Sequence, residues 1–270
     1  MGTDAINQTL GLAQKLNIFG DESWQERLVS PLFDTETRTE IKLELLFEGI
    51  DFTDQTVLDV GAGNGIYSLF AVCAGADRIV ALEPAGDGSN GINVNGVRTV
   101  AESVETIEVV SEPLQNFKSN EQFDIVIMRN VINHLDEDAT RDLLTDPTAH
   151  QRYQDIFGHL GDLTADDATI VITDSSRNNY LRFLGERNPF IGSRDWPIHQ
   201  APEVWATLLS HQGFAVRDIR WRSTLSLLGP VGKRLFSNRL VSHLTSSNFI
   251  LIMDRMRSDD RMIGESSPDE

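Results

Sequence analysis

"VLDVGAGNGIYSLF", residues 57–70, places three glycines within five positions between two apolar runs. The first run is rich in β-branched residues and is typical of a buried strand, and the second begins a segment long enough for a helix. Glycine permits unusual backbone angles and lets a ligand touch the main chain. The stretch therefore predicts a strand, a tight turn and a helix around a nucleoside-type ligand.

Short β-branched runs alternate with helix-length segments from residue 56 onward. Such alternation predicts βαβ units and a mainly parallel sheet in one α/β domain. The predicted strands are 56–60, 78–82, 106–110, 123–128, 169–173, 214–221 and 248–253. Ahead of them, residues 37–50 place Ile41, Leu45 and Leu46 at helical spacing. We expect the first 50 residues to be helical and to cover a sheet edge or cap a pocket.

The spacing of the glycines distinguishes three classes of ligand-binding turn. A P-loop needs GxxxxGK followed by Ser or Thr, which the sequence lacks. A dinucleotide fingerprint needs GxGxxG, and counting from Gly61 and Gly63 its third position falls on Ile66. The pattern present is instead Asp59-x-Gly61-x-Gly63-x-Gly65.

This D-x-G-x-G-x-G pattern after a first strand resembles motif I of the class I S-adenosylmethionine-dependent methyltransferases. Three later segments agree with that family in order, namely RIVALEP (78–84), VVSEPLQNF (109–117) and FDIVIMRNVINHL (123–135). The resemblance covers roughly residues 40–253. It implies S-adenosylmethionine as cofactor and a Rossmann-like α/β fold, with a seven-stranded mainly parallel sheet, an antiparallel last strand and helices on both faces.

The resemblance also implies roles around the cofactor. Asp59 would orient the glycine loop and reach the methionine amino group, Glu83 would hold both ribose hydroxyls, and Glu112 would face the adenine. The main chain after the fourth strand would line the methionine end. The cofactor-binding residues implied in this way are Asp59, Gly61, Ala62, Gly63, Asn64, Gly65, Glu83, Pro84, Glu112, Pro113, Arg129 and Asn130.

The chain divides into three parts under this interpretation. Residues 1–50 form an N-terminal helical cap. Residues 51–254 form the methyltransferase domain, with substrate-shaping insertions at about 174–200 and 222–246. The polar, acidic residues 255–270 are expected to be disordered.

The residues after the fourth strand bear on the atom that receives the methyl group. Nitrogen-directed members of the family often carry Asn/Asp-Pro-Pro-Tyr there, whereas this chain has RNVI (129–132), which disfavours methylation of DNA adenine or glutamine. An alcohol or carboxyl oxygen fits better, and an alcohol needs a general base near neutral pH. Because histidine suits that role, His134 and His199 are the candidate catalytic residues.

Basic residues concentrate where the family builds its substrate site. Residues 175–240 hold ten basic and four acidic side chains. Arginine pairs bidentately with carboxylates and phosphates, so we expect an anionic acceptor such as a uronic acid or a nucleotide- or lipid-linked sugar. Asp174, Arg177 and Arg182 follow the fifth strand and are the candidate substrate-binding residues. Residues 224–244 mix apolar and basic side chains, which allows at most a transient membrane contact.

Acidic residues outnumber basic ones by 41 to 23, and the formal net charge of −18 disfavours nucleic acid as a partner. Only four basic residues are lysines; this balance resembles that of cytosolic proteins of salt-loving microbes, so a halophilic archaeon is the expected source. The N-terminus lacks the basic and apolar blocks of a signal peptide, which predicts a cytoplasmic location. One cysteine and scattered histidines predict no protein-bound metal.

Three alternatives stay open. A non-catalytic subunit that binds the cofactor and regulates a partner would have the same fold, although it would not need intact turn glycines and Glu83. A protein methyltransferase would differ only in its acceptor. A nicotinamide-dependent dehydrogenase shares the architecture, but the glycine spacing argues against it. The sequence leaves the acceptor and the oligomeric state open.

Overall fold

A computed structural model describes residues 3–19, 32–84, 94–184, 188, 190 and 195–256. Seven strands form one sheet. They are β1 (Thr56–Val60), β2 (Arg78–Leu82), β3 (Ile107–Val110), β4 (Phe123–Arg129), β5 (Thr164–Ser175), β6 (Phe214–Arg222) and β7 (Asn248–Arg255). Their order across the sheet is β3-β2-β1-β4-β5-β7-β6.

The first five strands pair in parallel, and β7 is antiparallel to both β5 and β6. The predicted fold class, a Rossmann-like mainly parallel sheet of seven strands with the last one antiparallel, is therefore confirmed. β7 runs to Arg255, so the first residue of the predicted tail belongs to the sheet. Residues 257–270, where the rest of that tail was predicted, lie outside the described residues.

Helices surround the sheet. Those of the described residues are α1 (Thr3–Leu16), α2 (Thr35–Phe47), α3 (Ile66–Cys73), α4 (Val94–Ser103), α5 (Glu137–Asp142), α6 (Pro147–Asp162), α7 (Tyr180–Phe183), α8 (Pro202–Ser210), α9 (Gly229–Phe236) and α10 (Arg239–Leu244). The side chain of Asp34 caps α2 by accepting from Thr37 N–H at 2.7 Å. The helix predicted in residues 37–50 is α2, and its Ile41, Leu45 and Leu46 are buried.

Side chains alternate between the two faces of the sheet. In β1, Val57 packs against the face that carries α1 to α4, whereas Leu58 and Val60 pack against the face that carries α5, α6 and α8. Because both faces are covered, the central strands are continuous apolar runs. Each fully buried aliphatic side chain contributes about 1.5–3 kcal/mol. Asp59 interrupts this pattern in β1, so its position needs a functional explanation.

The strand order reverses between β1 and β4. From β1 the chain continues to β2 and β3 on one side of the sheet, and β4 and β5 lie on the other side. In open α/β sheets, ligands bind in the crevice at the carboxyl ends of the strands at such a reversal. The residues that follow β1, β2, β4 and β5 meet at this edge.

Candidate functional site

The glycine turn leaves β1 at this edge, and all three of its glycines have positive φ, at 70° for Gly61, 57° for Gly63 and 78° for Gly65. A Cβ at Gly61 would lie 2.8 Å from Val131 Cγ2, and one at Gly65 would lie 2.9 Å from Val97 Cα. A Cβ at Gly63 would meet no atom within 4 Å. The outer two glycines therefore serve packing, while the middle one leaves its side of the turn open to a ligand.

Glu83 follows β2 and lies directly beside the turn. Its Oε2 accepts a hydrogen bond from Gly63 N–H at 2.7 Å. The turn is also tied to β2, because Gly61 and Ala62 both donate their N–H groups to Leu82 O, at 2.8 and 3.1 Å. The acidic residue and the glycine turn, which the sequence predicted would share one ligand, are thus adjacent.

Asp59 is 1% exposed and lies one residue before the end of β1. Its Oδ2 accepts from Ser68 Oγ at 2.6 Å. Burial raises the pKa of this carboxyl to about 6, although the Ser68 hydrogen bond opposes the shift. The charge of Glu83 raises the pKa further and that of Arg129 lowers it. A buried acid with such a pKa gains from a nearby cation, which would favour its ionised form.

The other predicted cofactor residues lie around this turn in differing surroundings. The amide Nδ2 of Asn64 donates to Ile18 O at 2.7 Å, which ties the turn to the segment after α1. Ala62 is buried. Pro84 and Glu112 are exposed, and Pro113 is half-buried in the turn after β3. The structure does not test the predicted roles of Pro84, Glu112 and Pro113, which stay predictions.

The fourth strand ends in Arg129, whose guanidinium carbon lies 5.1 Å from the centre of the Tyr67 ring on α3. Asn130 follows with φ of 49°, and its N–H donates to Thr173 O of β5 at 2.7 Å. This bend carries the chain directly beneath the turn, since Val131 is the residue that faces Gly61. The segment predicted to line the methionine end therefore contacts the glycine turn.

His199 lies in a buried polar cluster at the end of β5. Its Nδ1 is 3.3 Å from Asp174 Oδ1 and 3.3 Å from Asn133 Nδ2. Asp174 is 3% exposed, and its side chain also accepts from Ser175 N–H at 2.6 Å. Asp174 Oδ2 and Asn133 Oδ1 are buried without hydrogen-bond partners among the described residues. The structure thus pairs a candidate base with a carboxylate.

His134 has a different environment. It lies in a 3₁₀ turn, Ile132–His134, and its Nδ1 is 2.6 Å from Glu137 Oε1 in the next helix. Its side chain is 29% exposed, against 12% for His199. The two candidate histidines are therefore not parts of one cluster.

Arg177 and Arg182 lie near His199 in the chain segment after β5. Arg177 Nη1 donates to Gln200 Oε1 at 3.0 Å, and Arg182 Nη1 donates to Arg177 O at 3.2 Å. The guanidinium carbon of Arg182 is also 5.4 Å from the centre of the Trp196 ring. Burial and the charge of Arg182 both lower the pKa of Arg177. Two cations held this close favour an anion beside them.

Sequence analysis missed several residues of this edge. Asn133 precedes a predicted histidine, but nothing in VINHL marks which side chain turns inward. A cleft lined partly by basic side chains was also missed; it is bordered by Lys42, Leu46, Tyr67, Arg129, Thr173, Arg222 and Ile250. These residues come from six different helices and strands, and no local sequence signal connects them.

Among the described residues, no group of three or more His, Cys, Asp or Glu side chains is arranged to hold a metal ion. No helix of the same part of the chain is long and apolar enough to cross a membrane.

Comparisons with known proteins agree with this geometry. The family described as "Methyltransferase domain" matches residues 33–219. The histone-arginine methyltransferase CARMER of Drosophila mojavensis is 31% identical over 125 residues, which is 41% of this chain and 22% of that protein. The Drosophila ananassae protein of the same name is 31% identical over 125 residues, covering 41% and 23%. The chain thus matches less than a quarter of the length of these curated relatives.

Solved structures share the fold at low identity. Magnesium protoporphyrin IX methyltransferase from Synechocystis PCC 6803, solved with S-adenosylhomocysteine bound, has a TM-score of 0.52 at 17% identity, covering 93% of this chain and 97% of that one. A SAM-dependent methyltransferase from Methanosarcina mazei has a TM-score of 0.51 at 15% identity, covering 76% and 94%. Because the family match spans well over half of the chain, the protein belongs to the methyltransferase-domain family, and it shares its fold with these S-adenosylmethionine-dependent methyltransferases.

Proposed function

We propose that the protein methylates an oxygen atom of an anionic small molecule or sugar, with His199 as the general base. The observation that carries this proposal is the pairing of His199 Nδ1 with Asp174 at 3.3 Å, beside the edge that carries the glycine turn. A histidine oriented by a buried carboxylate is a common arrangement for removing a proton from a hydroxyl group.

The residues at the edge fit the cofactor. The open side of Gly63 allows close approach to the main chain, and Glu83 could exchange its hydrogen bond with Gly63 for bonds to the ribose hydroxyls. The buried carboxyl of Asp59 would gain a cationic partner in the methionine amino group, which suits its raised pKa. When bound, S-adenosylmethionine supplies a methyl group already activated on a sulfonium.

The base has to be neutral and correctly protonated before it can act. If Nδ1 of His199 carries the proton and points it to Asp174, Asn133 Nδ2 can no longer donate to Nδ1 and the Asn133 amide has to turn. Nε2 then carries a free lone pair and can accept the proton of the acceptor hydroxyl. Asp174 then stabilises the imidazolium that forms. Asp174 is therefore proposed as a positioning residue, whereas its predicted role was substrate binding. Arg177 and Arg182 keep their proposed role of attracting the anionic group of the acceptor.

The base assignment is tested with His199→Ala, Asp174→Asn and His134→Ala. We expect His199→Ala to lower kcat about a hundredfold or more, since general bases contribute at least that much. Asp174→Asn should lower kcat less, and His134→Ala should change it little, because His134 and its partner Glu137 are much more exposed than the His199–Asp174 pair. Affinity for S-adenosylhomocysteine, measured by calorimetry, should stay unchanged in all three. Normal turnover of His199→Ala contradicts the assignment.

The acceptor class is tested by transfer of labelled methyl groups from S-adenosylmethionine to fractions of a cell extract, followed by mass analysis of the product. We expect the labelled product to be an acidic small molecule or glycan and to be retained on an anion exchanger. The proposal excludes nucleic acid, because the net charge of −18 repels it. Label confined to nucleic acid contradicts the proposal.

A protein acceptor is the second candidate. It is favoured by the match over 125 residues to proteins named histone-arginine methyltransferase, although that match leaves more than three quarters of their length uncovered. Label that remains with protein after gel filtration in denaturant would establish this alternative. Cofactor binding without any methyl transfer to the extract would instead favour the regulatory subunit.

The cellular setting remains a proposal based on charge. Screening by salt removes self-repulsion in a protein of this net charge, so a halophilic cytoplasmic protein should melt at a higher temperature in molar potassium chloride than at low salt. A melting temperature that does not rise contradicts the halophilic setting.

Transient membrane contact is proposed for α9 and α10, where Val231, Leu235 and Leu240 are exposed near Arg234 and Arg239. An apolar surface with basic residues suits an anionic bilayer. Sedimentation with phosphatidylserine vesicles at physiological salt tests this contact, and its absence contradicts the idea.

A further inference from the structure

We propose that Asn133 is a positioning residue whose side-chain amide decides which ring nitrogen of His199 carries the proton. While the amide donates to Nδ1, the proton is on Nε2, and that nitrogen has no lone pair with which to act as a base. When the amide turns, the proton is on Nδ1 and Nε2 is free. This inference rests on the proposed function, in which His199 is the general base.

Nδ1 of His199 lies between two groups that favour opposite tautomers. Asp174 Oδ1, at 3.3 Å, is an acceptor and favours a proton on Nδ1. Asn133 Nδ2, also at 3.3 Å, is a donor and favours a lone pair there. One tautomer cannot satisfy both neighbours, because Nδ1 has room for either a proton or a lone pair. Asn133 therefore competes with Asp174 for the same nitrogen.

The side-chain amide of Asn133 is buried and is held by few contacts. The residue is 1% exposed, and its Oδ1 is buried without a hydrogen-bond partner among the described residues. Within the same part of the chain, the hydrogen bond of its Nδ2 goes to His199. Half a turn of the amide brings Oδ1 to Nδ1, where it accepts the proton that Nδ2 excludes. The orientation of this amide is therefore coupled to the position of the proton on His199.

The backbones that carry the two side chains are fixed by one buried residue of α5. Thr140 Oγ1 donates to Asn133 O at 3.0 Å, and Thr140 O accepts from Gln200 Nε2 at 2.8 Å. Gln200 follows His199 directly in the chain, and Thr140 is fully buried. Because both segments are anchored on the same residue, Asn133 and His199 stay adjacent while the amide turns.

NMR of protein whose histidine rings carry the heavy nitrogen isotope measures the proton position, since the two ring nitrogens differ in chemical shift between tautomers. Spectra are recorded at about pH 8.5, above the ordinary titration range of histidine. His199→Gln identifies the signals of His199 by their loss. Asn133→Leu removes the amide and keeps its approximate shape, and Asn133→Ala is a second variant in case leucine prevents folding. Asn116→Leu is the matched control, because Asn116 is exposed.

We expect the ratio of the Nδ1–H form to the Nε2–H form to rise about threefold or more in both Asn133 variants, which is the effect of removing one neutral hydrogen bond. The ratio in Asn116→Leu should equal that of the wild type. Circular dichroism checks that each variant is folded. An unchanged ratio in the folded Asn133 variants overturns the inference.

Turnover gives a second readout. Asp174→Ala should lower kcat, because Asn133 then holds Nδ1 unopposed. Adding Asn133→Leu to Asp174→Ala should raise kcat about threefold or more above that of Asp174→Ala alone, whereas a merely structural role of Asn133 predicts a further loss. Absence of this recovery overturns the inference. Normal turnover of His199→Ala would instead overturn the proposed function, and this inference with it, even where the ratio of the two forms changes.

Discussion

Asp59→Asn should make the folded protein more stable at neutral pH while weakening cofactor binding. The carboxyl of Asp59 has a pKa of about 6 in the folded protein, against an ordinary value of 3.8. The unfolded chain therefore releases this proton at lower pH than the folded chain does. Below about pH 4 the carboxyl is protonated in both states, so its burial costs the folded state no free energy of unfolding. This cost grows as pH rises and is complete above about pH 6.

The size of the effect follows from the two values. A difference of roughly two pKa units corresponds to about 3 kcal/mol at pH 8, and at pH 5 the same difference gives about 1.5 kcal/mol. Asparagine cannot ionise and can still accept the hydrogen bond from Ser68. The gain in the free energy of unfolding for Asp59→Asn should therefore be about twice as large at pH 8 as at pH 5.

Urea unfolding at fixed salt, followed by circular dichroism at both pH values, measures this gain. Asp77→Asn is the control, since Asp77 is exposed and its substitution should change stability by less than about 0.5 kcal/mol. A gain that is equal at the two pH values, or a loss at pH 8, would refute the reasoning. Calorimetry should also show that wild-type affinity for S-adenosylmethionine rises between pH 5 and pH 7, and that the variant loses this dependence.

The remaining predictions concern packing at the same edge. Gly63→Ala should lower the free energy of unfolding by only about 1–2 kcal/mol, because residue 63 has a positive φ. Its affinity for S-adenosylhomocysteine, measured by calorimetry, should fall tenfold or more, because the new Cβ would occupy the open side of the turn. Unchanged affinity would contradict the interpretation that a ligand binds on that side. Gly65→Ala should destabilise more than Gly63→Ala in urea unfolding, because its Cβ would lie 2.9 Å from Val97 Cα. Tyr153→Phe should cost about 1–2 kcal/mol, since the buried hydroxyl donates to Ile132 O at 2.8 Å; an unchanged urea midpoint would show that this bond contributes nothing.

The fold could be predicted closely from the sequence because its central strands are buried on both faces. The runs at 56–60 and 78–82 match β1 and β2 in full, since apolar β-branched residues end abruptly at polar ones. β5 is longer than predicted and begins at Thr164. Its first residues include the exposed Asp166 and Asp167, which carry no apolar signal. Pairing with a neighbouring strand, which local composition does not report, extends β5 there.

The candidate site was predictable only where one short segment determines the geometry. The glycine turn and Glu83 were found because a strand-to-helix turn has a fixed shape and an adjacent strand ends beside it. The cluster around His199 was not predicted, because Asp174 and Asn133 reach it from the ends of two different strands. The cleft bordered by Lys42, Arg129 and Arg222 is harder still to predict, since these side chains meet only after the sheet and α2 have assembled.

Three carboxylates lie at this edge, those of Glu83, Asp59 and Asp174, and each favours a different kind of partner. Glu83 already accepts an N–H donor from Gly63, so it could exchange one set of donors for another at little cost. Asp59 is buried with one hydroxyl donor and a raised pKa, so it gains most from a permanent cation. Asp174 faces an imidazole, whose charge can appear and disappear. Under the proposed function, ribose hydroxyls, a methionine amino group and a proton in transit would meet those three needs respectively, and Asp59 paired only with hydroxyl groups would leave a buried charge without a cation.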